Sequence, residues 1–394
     1  MRKLTLAALG MYFGILAAFS QSTQKADSVY RIRKLKFEEA NIVSSYYKQH
    51  GNNATVTGGI GSQELTDIST AIDVKLVKYD KRDRQHSLSL ELGIDHYTSA
   101  STDKIDPSAT SSASYDENRI YPSVTWTMEN GKGSTFGAGL YYSSEYDYQS
   151  FGASINFAKK TKNRNGELSA KLQLYNDHIG EVYPIELRNS LTGSNPDMSR
   201  NTYSGTVSWS QIINTNLQLM AEAEMVYQEG QLALPFHRVY FKDTSVDIEQ
   251  LPTSRLKIPI GLRVNYFPGD KIILRGWYRH YQDDWNITSN TFQLETSIKI
   301  NPFISVTPFY RFYHQTAADY FAPYAEHALA DIYYTSNYDL SGFSSHFFGA
   351  GFRVAPPGGL LNIQHLNAAE IRFGHYRKNI EFNSNIISLH IKFK

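Results

Sequence analysis

The residues best able to do chemistry sit close together late in the chain. Glu326, His327 and Asp331 place an imidazole beside two carboxylates, and Tyr320, Tyr324, Tyr333 and Tyr334 flank them. Imidazole and carboxylate oxygen together can ligate a divalent ion. Exposed tyrosines can stack a sugar or an aromatic ligand. The spacing matches no diagnostic ligand motif, and a plainer reading competes: residues 326–332 form a short helix folded into a mouth, with the tyrosines packed on neighbouring loops. The twelve histidines are scattered, with His96, His280, His375 and His390 on strand-like runs, and no nucleophile motif accompanies them. Cysteine is absent, which excludes disulfides, thiolate metal sites and cysteine nucleophiles. Gly58-Gly59-Ile60-Gly61 lacks the lysine and helix of a phosphate loop. The sequence therefore assigns no catalytic residue, no metal and no cofactor, and the chain is not read as an enzyme.

What must position these residues is a series of strands. Ile387, Leu389, Ile391 and Phe393 alternate with Ser388, His390, Lys392 and Lys394 at the C-terminus. The same period of two recurs at Ile68–Leu76, Leu88–Ile94, Leu168–Leu174, Leu217–Met225 and Leu256–Val264. Repeated alternation puts apolar side chains on one face and polar ones on the other, the pattern of a transmembrane barrel. A mean hydropathy of −0.41 does not argue against this, because lumen-facing polar residues offset lipid-facing apolar ones. Tyrosine (28) and phenylalanine (21) are abundant, as suits membrane–water interfaces. The formal net charge of +1 gives no bias toward nucleic acid.

The N-terminus reads as an export signal. Met1, Arg2 and Lys3 are basic, residues 4–18 are apolar, and Ala18 and Ser20 offer small residues before Gln21. Residues 1–20 are assigned to a cleaved signal peptide, 21–52 to a periplasmic arm, a piece that tucks into the barrel or a disordered leader, with 35–47 able to form a helix, and 53–394 to the barrel. Polar turns at 80–85, 130–133, 161–166, 214–216, 268–271 and 301–302 are short, while connections at 99–118, 179–200, 229–255 and 316–343 are long. Short turns face the periplasm and long loops face outside. Fifteen runs are clear, and a sixteenth over 54–60 restores an even count with both ends in the periplasm. The fold class is thus all-β, a transmembrane antiparallel β-barrel of about sixteen strands, within a range of about fourteen to eighteen. Its seam pairs the last strand with 54–60.

This strand phase points a charge inventory into the lumen. Asp73, Glu91, Asp95, Glu129, Glu167, Glu222 and Glu224 face inward from the first half, with Lys75 and Lys171 as exceptions. Lys257, Arg263, Arg275, Arg279, Lys299, Arg311, Arg353, Arg372 and Lys392 face inward from the second, with Glu295 and Glu370 as exceptions. Acidic and basic walls then oppose each other. They describe either a pore with a transverse field or a lumen closed by cross-barrel ion pairs. The apolar Leu234-Pro235-Phe236-His237-Arg238-Val239-Tyr240-Phe241 segment folds inward as a constriction or packs over the rim.

Gly51-Asn52-Asn53-Ala54-Thr55-Val56-Thr57-Gly58-Gly59-Ile60-Gly61, the Gly93–Asp103 and Ser112–Ser114 block, and Pro235-Phe236-His237-Arg238 resemble segments of a bacterial family known only as a domain of unknown function. The resemblance implies an outer-membrane barrel of a Gram-negative bacterium with no established activity, and it transfers no site residue. It also implies redox-maturation proteins as genomic neighbours. Two functions follow as expectations. The first is a channel or binding pore for a small polar solute. The second is a scaffold barrel holding a periplasmic or surface protein. Expected partners are outer-membrane lipid and, through the C-terminal strand, the barrel-assembly machinery.

Overall fold

The computed structural model describes residues 34–98, 117–180, 183–184, 186–187 and 198–394. The signal-peptide assignment, residues 21–33 of the arm, residues 99–116 of the 99–118 connection and most of the 179–200 connection lie outside the described residues.

Sixteen strands close one antiparallel barrel. In chain order these are β1 (Lys36–Gly51), β2 (Leu65–Tyr79), β3 (Gln85–Tyr97), β4 (Glu117–Glu129), β5 (Ser134–Ser144), β6 (Tyr148–Lys160), β7 (Gly166–Ile179), β8 (Met198–Asn214) and β9 (Leu217–Gly230). A two-stranded hairpin follows, β10 (Arg238–Tyr240) with β11 (Val246–Ile248), outside the barrel sheet. The wall resumes with β12 (Ser254–Tyr266), β13 (Ile272–Asp283), β14 (Thr288–Asn301), β15 (Ile304–Gln315), β16 (Phe343–Val354), β17 (Leu366–Lys378) and β18 (Phe382–Phe393). Each barrel strand pairs with its neighbour in sequence, and β9 pairs with β12 across the hairpin. The sheet closes where β1 pairs with β18, with Ser45 opposite Ser388 and Tyr46 opposite Ile387.

The register assigns the two faces. Leu140, Leu172, Val207, Met225, Ile260, Phe292, Phe348 and Ile371 share the outward face, and each is exposed. Large apolar side chains left exposed all round a closed sheet are matched by a hydrocarbon surrounding, since water would disfavour them by about 25 cal/mol per Å². A strand of 13 residues such as β12, rising about 3.3 Å per residue and tilted about 40°, spans about 33 Å. That exceeds the apolar band of about 25 Å that a membrane barrel needs. The other face is interior. Arg372 on β17 donates to Glu295 on β14 at 2.7 Å, and only a concave surface brings side chains three strands apart together.

The connections sort by end. Turns 80–84, 130–133, 161–165, 215–216, 267–271 and 302–303 are short and share one end with the start of β1 and the end of β18. The 355–365 connection, with its 3-10 turn at Leu360–Asn362, is the long exception there. The opposite end carries the loops at 52–64, 231–253 and 316–342.

Two expectations are corrected. Lys36–Gly51 is a barrel strand, neither helical nor a periplasmic arm. Ile42 and Tyr46, or Val43 and Tyr47, are four residues apart, and that spacing satisfies a strand's period of two as well as a helical face. Residues 54–60 are not a strand. Thr55–Thr57 form a 3-10 turn, followed by Gly58 and Gly59 at φ +82° and +87°. The C-terminal strand therefore closes on β1 instead of on residues 54–60, while the count of sixteen stands.

Candidate functional site: a capped lumen

The long-loop end is covered. The connection 52–64 springs from β1, which stands eight positions around the sixteen-strand ring from β9, where the connection 231–253 begins. These opposite loops meet. The Arg238 guanidinium donates Nη1 to the Val56 carbonyl at 2.8 Å. It also grips the Glu186 carboxylate of the β7–β8 connection through Nε and through Nη2, the latter at 2.9 Å. Arg238 is 2% exposed, so its guanidinium is desolvated, while Glu186 keeps 35% of its side chain exposed. Close approach explains the glycines. A Cβ on Gly58 would lie 2.7 Å from the Tyr240 ring, and one on Gly59 would lie 2.6 Å from the Ser336 carbonyl.

The connection 316–342 straps the hairpin. Tyr334 and Gln250 exchange backbone hydrogen bonds at 2.7 and 3.1 Å, and Lys242 N–H donates to the His327 carbonyl at 3.0 Å. Thr335 Oγ1 donates to the buried Glu249 at 2.5 Å. Val239, Phe241 and Tyr334 form a small core. The cap is tied to the wall by Gln315, whose amide donates to the Ser341 and Asp339 carbonyls at 2.6 and 3.0 Å. Lys378 to Asp339 (2.6 Å) and Asn53 to the Ile380 carbonyl (2.5 Å) add further ties.

This cap absorbs the ligand-loop residues. Tyr320 packs edge-on against Trp285 and Tyr333, and Tyr324 lies against Tyr240. Tyr334 donates to Asp247 at 3.2 Å, and burial beside that carboxylate pushes its phenol up to about 12. His327 is 2% exposed; its Nε2 faces the Thr335 carbonyl at 3.0 Å and so carries the proton, while Nδ1 lies 3.4 Å from Asp331. Glu326 is exposed and is not gathered with these two. The segment 326–332 forms turns, with Ala325 at φ +58°, and the expected short helix is absent there. The packing half of the plainer reading describes this loop, and its two ring nitrogens explain why: both are already engaged. A three-carboxylate group does occur elsewhere, Glu117, Glu145 and Asp147, with Tyr97 donating to Glu145 at 2.7 Å.

Below the cap the lumen wall is charged. Asp73 accepts from Asn41 (3.2 Å), Glu91 from Ser123 (3.4 Å) and Asp95 from Tyr121 (3.0 Å). Glu129 pairs with Lys160 at 2.7 Å, and Glu222 reaches Arg263 at 3.5 Å. Glu224 stands on the same face opposite Thr206, and Glu167 opposite Ser210. The inventory from sequence missed Arg119, Lys160 and Arg200 on this side, each paired with a carboxylate. It also missed Asp177, which is buried and held by Arg200 at 2.8 Å. Flat tyrosines line this side. A Cβ on Gly93 would lie 1.9 Å from the Tyr121 ring, so the ring rests on the glycine against the wall. A cavity of about 420 Å³ lies here, among Arg119, Tyr121, Tyr141, Tyr148 and Tyr175.

Across the barrel the cations dominate. Arg275 donates to Glu295 at 2.8 Å, and Arg372 reaches Glu295 and Glu370 at 2.7 and 3.5 Å. Arg311 donates to Gln293 at 2.8 Å and lies over Trp277 and Phe347. Lys257, Arg279, Lys299 and Arg353 share this face by register, opposite Asp283, Thr291, Ser305 and Glu370 respectively. The carboxylates on this wall among the described residues are Asp283, Glu295 and Glu370. A cavity of about 470 Å³ is lined by Arg263, Arg275, Arg311, Trp277, Gln293 and Glu295. The wall ion pairs named above run along the wall between strands at most three apart. The described closure is at the mouth, in the loops.

Solved structures of similar shape include two Pseudomonas aeruginosa proteins, OccK2 (OpdF) and OccD3 (OpdP). OccK2 is 9% identical, over 90% of this chain and 97% of that one, at a TM-score of 0.42. OccD3 is 9% identical over 93% of each chain, at a TM-score of 0.44. A monoaromatic hydrocarbon channel, a TodX mutant, is 9% identical over 92% of this chain and 90% of that one, at a TM-score of 0.40. No curated protein sequence matches the chain. One family matches residues 84–385, most of the sequence, and the chain belongs to it: the family described as protein of unknown function, DUF3570.

Proposed function

We propose that this protein is an outer-membrane channel or binding pore for a small polar solute, with the long-loop end facing outside and the short-turn end facing the periplasm. The observation that carries the reading is the lumen itself. A wall bearing Lys257, Arg263, Arg275, Arg279, Lys299, Arg311, Arg353 and Arg372 faces one bearing Asp73, Glu91, Asp95, Glu129, Glu222 and Glu224. Solute-sized cavities lie against both walls. Charged, partly hydrated side chains facing an interior act as a selectivity surface, because their field acts over a short path in a low-dielectric shell. The basic wall has few carboxylates to offset it, so it favours solutes carrying a carboxylate or phosphate. The cap supports a gated passage. Its contacts are mainly polar, lie among the mouth loops and reach the wall at strand ends such as Gln315 and Lys378, so it can open with little disturbance of the barrel ladder.

Purified protein reconstituted in planar bilayers tests this. The reading expects brief, small openings that are blocked by small organic anions added on the cap side. A folded protein that never conducts, with no solute passage in vesicle swelling, would overturn it.

A further inference from the structure

Toward the long-loop end the outward face turns polar, with His96, Asn118, Asn176, Asn201 and Glu229 on the β3–β9 side, and over one arc on the opposite side it carries imidazoles and cations. On β13, β15, β16, β17 and β1 the last few residues toward the long-loop end carry His280, His314, His346, His375, Arg377 and Lys48. The register places all six outward, beside Tyr278, Phe292, Tyr310 and Phe348. His314, His346, Arg377 and Lys48 are exposed. The histidines' partners are neutral. His280 bonds Asn290 (3.0 Å), His314 Ser344 (2.9 Å), His346 Tyr310 (2.8 Å) and His375 Asn385 (2.8 Å). His346 and His375 also lie tilted against Phe312 and Phe348, with ring centroids 5.4 Å apart, which holds the rings at the level of the aromatic side chains. Among the described residues none of the six is paired with a carboxylate.

We propose that this patch is a binding surface for anionic phosphate headgroups of membrane lipid. The argument is positional. Phe292, Phe348, Phe373 and Ile387 face hydrocarbon one or two rows below the patch, and aromatic rings mark the interface. What meets the next row is therefore the headgroup layer. Two fixed cations and four imidazoles, each able to donate a hydrogen bond, complement a phosphate better than a choline or a sugar. The other titratable outward groups here are Tyr46, Tyr278, Tyr310, His50 with Glu64 at 2.9 Å, and Glu381 with Asn52 at 3.1 Å. The two carboxylates are at the patch edge, each with its own partner. The proposal rests on the barrel spanning a bilayer but not on its conducting anything.

The test measures lipid association by the full-length protein in phosphatidylcholine vesicles. These are doped with spin-labelled phosphatidic acid or spin-labelled phosphatidylcholine, at neutral pH. The expected result is about a three- to tenfold preference for phosphatidic acid. In a variant combining H314N, H346N, H375N and R377Q the preference falls toward one. Folding of that variant is checked by heat-modified gel migration. A variant with outward Leu172→Ala on the far wall keeps the full preference. Equal association of both lipids, or a preference unchanged in the folded quadruple variant, overturns the proposal. So does complete competition by millimolar inorganic phosphate, which would assign the patch to the free anion.

Discussion

Replacing Arg238 with Ala removes the cation that joins three loops at the mouth. It leaves the Glu186 carboxylate and the Val56 carbonyl without their partner. Breaking a buried charged pair by removing one member costs about 3–5 kcal/mol. Glu186 keeps 35% of its side chain exposed and can rehydrate, so the lower bound of about 3 kcal/mol applies. That is about a 150-fold shift in a closed–open equilibrium. If closure is favoured about a thousandfold, the open fraction rises from about one in a thousand to about one in eight. Single-channel recording reads this as open probability at unchanged unit conductance, because Arg238 belongs to the cap and not to the lumen wall. Arg238→Lys keeps the charge but loses the forked geometry, and falls between. An unchanged open probability in a folded Arg238→Ala barrel would refute the gating argument.

Other expectations follow from the same geometry. Leu172 is 59% exposed on the outward face, and Leu172→Arg lowers folding stability in lipid vesicles by about 2–4 kcal/mol, while Leu172→Phe leaves it unchanged by denaturant titration. A Ser45→Cys, Ser388→Cys pair cross-links on oxidation, because the residues face each other across the seam and antiparallel partners lie within disulfide range; Thr57→Cys with Ser388→Cys stays open. Tyr334 has a raised phenol, so its protonated form is favoured in the folded cap. The unfolded cap ionises near the ordinary tyrosine value of about 10, so this contribution is complete below pH 10 and is lost as pH rises toward about 12. Proteolytic nicking of the 316–342 loop should therefore rise over that window in the wild type and not in Tyr334→Phe.

The barrel was legible because its signal is repeated, and parity forced an extra strand onto a chain whose clear runs were fifteen. The location of that strand was hidden. β1 points Val43 into the lumen and Ser44 toward lipid, reversing the polarity rule at the middle of the strand, and its i,i+4 pairs imitate a helix. Residues 54–60 looked extended because Thr55 and Val56 favour strands, but two left-handed glycines turn the segment into the mouth. The lumen charges followed from phase alone. Their partners did not, since Arg119 and Arg200 sit at strand ends whose starts the pattern does not mark. The cap was visible as apolar density in 234–241 and as the tyrosine-rich 316–343 connection read as folding into a mouth. The pairing of Arg238 with Glu186 and Val56 joins residues far apart in sequence, and no local pattern carries that contact.

The most direct test of the account is the reversal potential across a bilayer under a potassium chloride gradient, measured on Arg238→Ala so that openings are frequent. The account predicts anion preference, and its loss when Arg263, Arg275 and Arg311 are together replaced by Gln. Cation preference in the first protein, or an unchanged reversal potential in the second, would contradict it.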